Sequence, residues 1–312
     1  MLKHYIKNQL ENQITLLYNI NTLNKPISVS IVVPVYNEGE TIAPVLANLK
    51  KELDGKLNHE IIVINDGSTD NSREILETIP YIKLINHRTN TGYGSALKTG
   101  IKNSQYDWIL TFDSDGSHPP HQIMDLVKFC DSHDLIIGAR TGEQSYDTFF
   151  RKTGRTIVTK FAQYISKEKI EDINSGFRIF KKELPQKFWP LLPDGFSFSS
   201  TSTVASHVSR YPVKYVPINA SKRAGGKSTI RPAKDFAGFM SLITKIAIYF
   251  KPLKVFIPIS IFLFVSAVSV LVIGWFFFGG VLDITFAILI MASIQSLIFG
   301  LIAEMIVKRF HS

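Results

Sequence analysis

The sequence predicts an α/β protein: a doubly wound, mostly parallel sheet, then a juxtamembrane amphipathic helix and a two-helix transmembrane hairpin. Three observations predict it. Short β-branched or apolar runs alternate with helical stretches from residue 29 to about 138. Lys234–Phe250 places apolar residues at Phe236, Phe239, Met240, Ile243, Ile246 and Ala247, a helical spacing. Finally, 28 residues from Val255 to Leu282 contain no Asp, Glu, Lys, Arg or His, and 20 more uncharged residues run from Ile284 to Ala303.

Taken in chain order, residues 1–28 read as a polar helical arm. Val29–Val35, Ile61–Asn65, Ile82–Ile85, Trp108–Phe112 and Leu135–Gly138 read as strands, with helices in Thr41–Leu53, Ser72–Glu77 and Gly94–Lys102 between them. Residues 139–231, mixed and rich in Ser, Thr, Arg and Lys, are expected to cover one edge of the sheet. At about 1.5 Å per residue, Val255–Phe278 spans roughly 36 Å and Ile284–Ala303 roughly 30 Å, enough for two crossings. The expected division is an arm at 1–28, an α/β domain at 29–231, the amphipathic helix at 232–252 and the hairpin at 253–312. Its spans fall at about 255–278 and 284–307.

Charge orients and narrows this picture. Lys251 and Lys254 precede the first span, Lys308, Arg309 and His311 follow the second, and the turn at 279–283 has no basic residue. The positive-inside rule then puts both termini and the α/β domain in the cytoplasm. Of the net +9, the first 250 residues carry +7, fitting a surface beside anionic lipid. No dense Lys/Arg run occurs there, so nucleic acid is not an expected partner. The single cysteine, Cys130, excludes an internal disulfide and fits a reducing compartment. Met1–Ser28 lacks an apolar core, so no cleavable signal peptide is expected.

In doubly wound sheets ligands bind beyond the carboxyl ends of the strands, and four motifs fall there. Val33–Glu38 ends the first strand, Asn65–Asp70 the second, Asn90–Lys98 opens a helix, and Asp113–Pro120 ends the fourth. Asp113 and Asp115 flank Ser114; two residues apart on a strand, both carboxylates share a face. That suits a hard divalent cation which keeps open positions for phosphates. An Asp-rich turn capping the next helix is the plain alternative, and the register of the other three motifs favours the metal. Asp66 reads as a ligand to a base or ribose, with capping left to Ser68 and Asp70. Gly92–Tyr93–Gly94 departs from a dinucleotide fingerprint at Leu97, and Gly226–Thr229 from a Walker loop at Ser221 and Pro232. His118 and His121, beside Pro119 and Pro120, read as turn residues. Arg140, Arg151, Arg155, Arg178 and Arg223 are candidates for phosphate contact. Glu304 is expected at an interface.

Pro34–Glu38, Asn65–Asp70, Asp113–Asp115, His118–Pro120 and Ser175–Arg178 together resemble family 2 glycosyltransferases, in the branch of polyprenyl-phosphate hexosyltransferases similar to dolichol-phosphate mannose synthase and bactoprenol glucosyltransferases. The resemblance covers about 29–312. It implies a GT-A domain, a nucleotide-diphosphate sugar donor of the UDP-glucose or GDP-mannose type, and Mg²⁺ or Mn²⁺. The implied acceptor is a polyprenyl phosphate, undecaprenyl or dolichyl, at the bilayer. Pro34, Tyr36, Glu38, Ile64 and Asp66 would hold the nucleoside, and Asp113, Ser114 and Asp115 the ribose, diphosphate and metal, with Ser117 as a further metal ligand. Arg140 and Arg178 would face the phosphates with Asp113 and Asp115 as the catalytic set; Arg151, Arg155, Arg223 and Lys227 would meet the acceptor phosphate. Three positions depart from the pattern: Ser117 replaces a frequent Gln, Thr229 a frequent Lys, and Phe196–Thr203 is Ser/Thr-rich where relatives carry an acid. A phosphate monoester, with a second pKa of ~6, is already anionic at pH 7 and needs no general base. Rival readings are a lipid-hydroxyl acceptor such as diacylglycerol, which needs a base, and a non-catalytic membrane-anchored assembly protein. Self-association is left open.

Overall fold

The computed structural model describes residues 27–140, 149–195, 197–219, 244–245, 247–278 and 283–311. The N-terminal arm, most of the expected amphipathic helix, the hairpin turn, Arg223 and Lys227 lie outside them. Among the described residues, 27–140, 174–195, 197–199 and 211–219 form one compact unit, and 149–173, 200–210, 244–245, 247–278 and 283–311 a second.

The first unit is built on seven strands: β1 (Ser28–Val35), β2 (Asn58–Asn65), β3 (Lys83–Asn86), β4 (Trp108–Thr111), β5 (Leu135–Arg140), β6 (Arg178–Lys181) and β7 (Val213–Ile218). Their order is β3-β2-β1-β4-β6-β5-β7; every pairing is parallel except those of β6, which runs antiparallel to β4 and β5. Strands β1 to β4 fall where the apolar runs place them. β5 extends two residues past its expected end, and β6 and β7 were not expected as strands at all. They lie in the mixed segment, and the four residues of β6 are too few for an alternating pattern to stand out.

Strand β1 is apolar on both faces because helices cover both; Val29, Ile31, Val32 and Val33 have no exposed surface. Pro34 is tolerated inside it for a positional reason. The Val32 carbonyl accepts from the Phe112 N–H on the β4 side, so two residues on Pro34 faces the same side, beyond the last β1–β4 pair, Val32 with Thr111. Its missing N–H therefore costs no ladder bond. Helix α1 (Ile42–Leu53) buries Ile42, Leu46, Leu49 and Leu53, one stripe at helical spacing. The short α2 (Ser72–Glu77) follows β2. Helix α3 (Tyr93–Asn103) approaches the sheet at Gly100, where an added Cβ would lie 2.3 Å from Val32 Cγ1 and 2.9 Å from Ile64 Cδ1. Helices α4 (Ile123–Val127) and α6 (Glu183–Lys187) complete the layers.

In the second unit, α5 (Phe149–Ser166) accompanies α8 (Leu253–Phe278) and α9 (Asp283–His311); helix α7 (Phe198–Val208) runs from one unit into the other. Leu253–Phe276 and Ile284–Lys308 are long and apolar enough to cross a membrane. A core helix of a soluble protein would be buried, whereas here Phe262, Phe276 and Met305 are each at least 70% exposed. The two helices pack antiparallel through small residues. Ser260 and Ser293 each donate to the other's carbonyl at 2.9 Å, and a Cβ on Gly300 would lie 2.7 Å from that of Phe256. Glu304 is 3.8 Å from Lys308 one turn later, at the charged end of its helix.

Candidate active site

The carboxyl ends of β1, β2 and β4 meet at one rim, and the segment entering the reversed β6 joins them. The first two ends are stitched by side chains acting on main chain. The Asn37 N–H donates to Ser68 Oγ at 3.1 Å, the Thr69 N–H to Asn37 Oδ1 at 2.8 Å, and the Glu38 N–H to Ser72 Oγ at 2.9 Å. Asn37 takes a left-handed backbone, φ 56°, which asparagine tolerates. Asp70 accepts from the N–H groups of Gly39 and Ser72, both at 3.0 Å, and so caps the start of α2 as expected. Tyr36 is left exposed at the rim, and Glu38 accepts from the Thr41 hydroxyl at 2.8 Å. The same hydroxyl is 3.3 Å from the Ser114 carbonyl, tying the β1 loop to the β4 loop.

Asp113 and Asp115 follow β4 on that rim. The Asp113 side chain is 26% exposed and Asp115 is 6% exposed. The turn that follows Asp115 is closed by the Ser117 N–H donating to Asp115 Oδ1 at 3.0 Å. Asp113 is clamped. The Tyr93 hydroxyl donates to its Oδ1 at 2.9 Å, and its own N–H donates to His118 Nδ1 at 3.0 Å. With Nδ1 accepting, the ring proton of a neutral His118 is on Nε2, 3.3 Å from Asp113 Oδ2. His118 is buried edge-on against Phe112 and tilted over Phe177. Burial, then the charge of Asp113 and its hydrogen bond, push the Tyr93 phenol well above its ordinary pKa, so it remains a donor. Gly176, just before β6, completes the clamp: a Cβ there would lie 2.7 Å from Asp113 Oδ2 and 3.0 Å from the Tyr93 hydroxyl.

Among the described residues no group of three His, Cys, Asp or Glu side chains could hold a metal ion. The donor set at the rim is Asp113 and Asp115, with the Ser117 hydroxyl in the same turn. That set fits Mg²⁺ or a similar ion held by one or two carboxylates and completed by water and substrate phosphates. His118 lies in the bend before Pro120, as expected of a turn residue, and from there it also braces Asp113. Its position five residues after Asp113 is the available signal, while Tyr93 and Gly176 fall in the Asn90–Lys98 and Ser175–Arg178 motifs, which give no sign that they meet Asp113.

Three of the expected ligand residues are buried. Asp66 is buried, and four donors already occupy it. Thr91 gives its N–H at 3.0 Å and its hydroxyl at 2.8 Å, His87 Nδ1 lies at 2.7 Å, and the Gly92 N–H reaches Oδ2 at 2.8 Å. Burial opposes ionisation, but the Thr91, His87 and Gly92 hydrogen bonds outweigh it and hold the carboxyl below its ordinary value. Asp66 thus anchors the loop before α3, with three of these contacts on Oδ1 and one on Oδ2. Ile64 is fully buried in β2, its side chain packing toward Gly100. Arg178 is fully buried as well, its guanidinium donating to the carbonyls of Ser175 and Ser199 and its charge acting on Tyr93 beside Asp113; it underpins the segment that carries Gly176.

Arg140 is exposed at the end of β5. Arg151 and Arg155 fall on α5, and their side chains are outside the described residues. The N-terminus of α3 is closed: the Ser95 N–H donates to the Asp194 carbonyl at 3.0 Å and the Gly92 N–H to Asp66. This agrees with the rejection of a dinucleotide fingerprint at Gly92–Leu97.

Comparison with known proteins accounts for the arrangement. Residues 30–189 match the model of glycosyl transferase family 2, and residues 251–308 that of the GtrB C-terminal hairpin. An undecaprenyl-phosphate 4-deoxy-4-formamido-L-arabinose transferase of Yersinia pestis is 31% identical over 207 residues, which is 61% of this chain and 62% of that protein's length. An uncharacterized protein of Methanocaldococcus jannaschii is 33% identical over 208 residues, 64% of this chain and 83% of its own. Among solved structures, the glucosyl-3-phosphoglycerate synthase of Mycobacterium tuberculosis, with Mn²⁺ and UDP, superposes with a TM-score of 0.54 at 19% identity, covering 71% of this chain and 79% of its own. TarS of S. aureus, with UDP, gives 0.51 at 21% identity, covering 72% and 67%. These structures share the GT-A fold with the first unit. Since the family model spans half of the sequence, the chain belongs to glycosyl transferase family 2 and carries a GtrB C-terminal hairpin.

Proposed function

We propose that this chain transfers a hexose, with inversion, from a nucleotide-diphosphate sugar to a polyprenyl phosphate at the cytosolic membrane face. The observation that carries the reading is the clamped Asp113 beside Asp115 at the end of β4, in a chain that also holds two helices fit to cross a membrane. The curated transferases it resembles act on undecaprenyl phosphate by name, which supports the acceptor class. The charge pattern supports the orientation, with basic residues at both outer ends of the hairpin.

Asp113 and Asp115 would hold a divalent ion, Mg²⁺ or Mn²⁺, assisted by Ser117. When bound, such an ion supplies positive charge for the departing diphosphate. The chain's own residues do the rest. Tyr93 and His118 fix the Asp113 carboxylate before the donor arrives, so no reorganisation accompanies binding. Tyr36, exposed at the rim beside Glu38, offers a ring for the base. Arg140 would contribute charge to a phosphate. An oxygen of the acceptor phosphate attacks the anomeric carbon as the bond from that carbon to the diphosphate breaks, and the nucleoside diphosphate leaves. The attacking oxygen carries no proton to remove, consistent with the absence of an assigned base.

The test is a donor screen. Membranes containing the chain, polyprenyl phosphate and Mg²⁺ or Mn²⁺ are incubated with radiolabelled nucleotide sugars one at a time. A labelled lipid that hydrolyses in mild acid, as a glycosyl phosphate does, is the expected product. A label stable in mild acid would instead assign a lipid-hydroxyl acceptor, and no labelled lipid from any donor would remove the activity.

A further inference from the structure

At the foot of the hairpin, the second unit gathers basic residues from three separate segments. Lys167 follows the last residue of α5, and Arg210 lies two residues beyond α7. Both have left-handed backbones, φ 64° and φ 60°, a conformation that glycine would adopt at lower cost. The Lys167 N–H donates to the Gln163 carbonyl at 2.7 Å and the Arg210 N–H to that of His207 at 3.1 Å, so each residue turns sharply out of its helix. Lys251, two residues before α8, is the third. Burial, then the charges of Arg210 and Lys167, lower its ammonium pKa, so both of these cations act on Lys251. Among the described residues none of the three forms an ion pair. Glu168, beside Lys167, acts on His207, and the neighbouring Lys169 is already paired with Glu171.

A fourth cation, Lys254, has a different employment. Its Nζ donates to the Tyr164 and Ile165 carbonyls at 2.8 and 2.7 Å, and lies 5.4 Å from the centre of the Tyr164 ring. It pins the end of α5 to the start of α8 and so holds Lys167 near Lys251. Beside this strut an apolar groove of about 550 Å³ runs along α8, lined by Tyr164, Leu253, Ile257, Pro258, Ile261 and Phe262. Ile261 and Phe262 are 57% and 70% exposed, on the side where a bilayer would lie.

Three cations with no counter-ion among the described residues, one of them two residues from a helix fit to enter a membrane and beside an apolar groove, match an amphiphile with an anionic head and an apolar tail. We propose that Lys167, Arg210 and Lys251 bind the headgroup phosphate of an anionic bilayer phospholipid, with one acyl chain in the groove against Tyr164, Ile257, Ile261 and Phe262. The site fixes the depth and rotation of the hairpin at the headgroup layer. It is independent of the reaction assigned above, and its test involves no sugar transfer.

The full chain is reconstituted in phosphatidylcholine nanodiscs containing 0 to 40 mol% phosphatidylglycerol, and native mass spectrometry counts the lipids retained on release. The expected result is one phosphatidylglycerol retained in preference to phosphatidylcholine. That preference should fall about 5-fold for each cation neutralised, and roughly 100-fold in Lys167→Gln/Arg210→Gln/Lys251→Gln. Lys169→Gln should leave it unchanged, and Lys251→Arg should keep it. Single variants carry the test if the triple variant does not fold. Equal retention of the two lipids by the unaltered chain, or undiminished preference in the variants, would overturn the site. So would variants that keep phosphatidylglycerol but lose polyprenyl phosphate added to phosphatidylcholine discs, since the cations would then serve the acceptor.

Discussion

Two acidic strand ends, Asp66 after β2 and Asp113 after β4, look alike in sequence and differ in what surrounds them. Each follows a buried apolar strand and precedes a small residue. Asp66 is saturated by main-chain and side-chain donors that arrive from 21 to 26 residues further along the chain, so its charge is spent on shaping the loop before α3. Asp113 has its two oxygens braced by one phenol and one imidazole and keeps a quarter of its surface open. A carboxylate surrounded by N–H donors is a structural element; one steadied from behind and open in front can bind a cation. What separates the two is the direction from which the donors come, which depends on tertiary structure.

Four perturbations test that contrast. The largest effect is expected from Asp115→Ala, which removes one of the two rim carboxylates: sugar transfer measured with the labelled donor should fall roughly 10³-fold, with a loss of only about 1 kcal/mol of stability from the freed Ser117 N–H. Preserved transfer would mean that the β4 rim is as structural as the β2 rim. Asp66→Asn should show the reverse, a loss of about 2–3 kcal/mol of stability in thermal or denaturant unfolding, because its donors were meeting a charge. If it instead lost activity at full stability, Asp66 would be a ligand after all.

Tyr93→Phe sharpens the comparison from the other side. It removes one charge-assisted hydrogen bond to Asp113 and should slow transfer about 10-fold, with the loss appearing in the metal concentration required. The smallest effect concerns acid. The folded-state pKa of Asp66 lies below its ordinary value of 3.8, so its stabilising contribution is full above about pH 4 and is lost as the pH falls through the lower, folded value. The unfolding midpoint of Asp66→Asn should therefore change less between pH 5 and pH 3 than that of the unaltered chain. Parallel profiles would show that the hydrogen bonds do not favour the charged form.

The local part of this architecture could be read from residues. Val29–Val35 and Ile61–Asn65 have no polar face to place on a surface, and Val255–Leu282 contains no charged side chain that water must solvate. The two-residue spacing of Asp113 and Asp115 reads as one face of a strand, but β4 ends at Thr111, so both lie in the loop beyond it. The braces were not legible: Tyr93 reaches Asp113 across the sheet, and Gly176 is adjacent to it only because β6 lies beside β4. Arg178 shows the same dependence on tertiary structure. In sequence it is a cation in a motif; in the fold its guanidinium donates to the Ser175 and Ser199 carbonyls, contacts that the motif does not announce. β6 itself escaped notice because four residues between a glycine-bearing loop and a lysine pair carry too short a pattern.

The single reversed strand has a consequence for how this chain can vary. In a wholly parallel sheet the segments entering strands lie on the rim away from the ligand, and only those leaving strands reach it. By running β6 backwards the chain exchanges those roles at one position, so that Ser175 and Gly176, on the way in, stand with residues on the way out of β4. Lengthening the chain before Arg178 would therefore rebuild the ligand rim. An insertion of the same size after Lys181 would emerge on the opposite rim and leave Asp113 undisturbed.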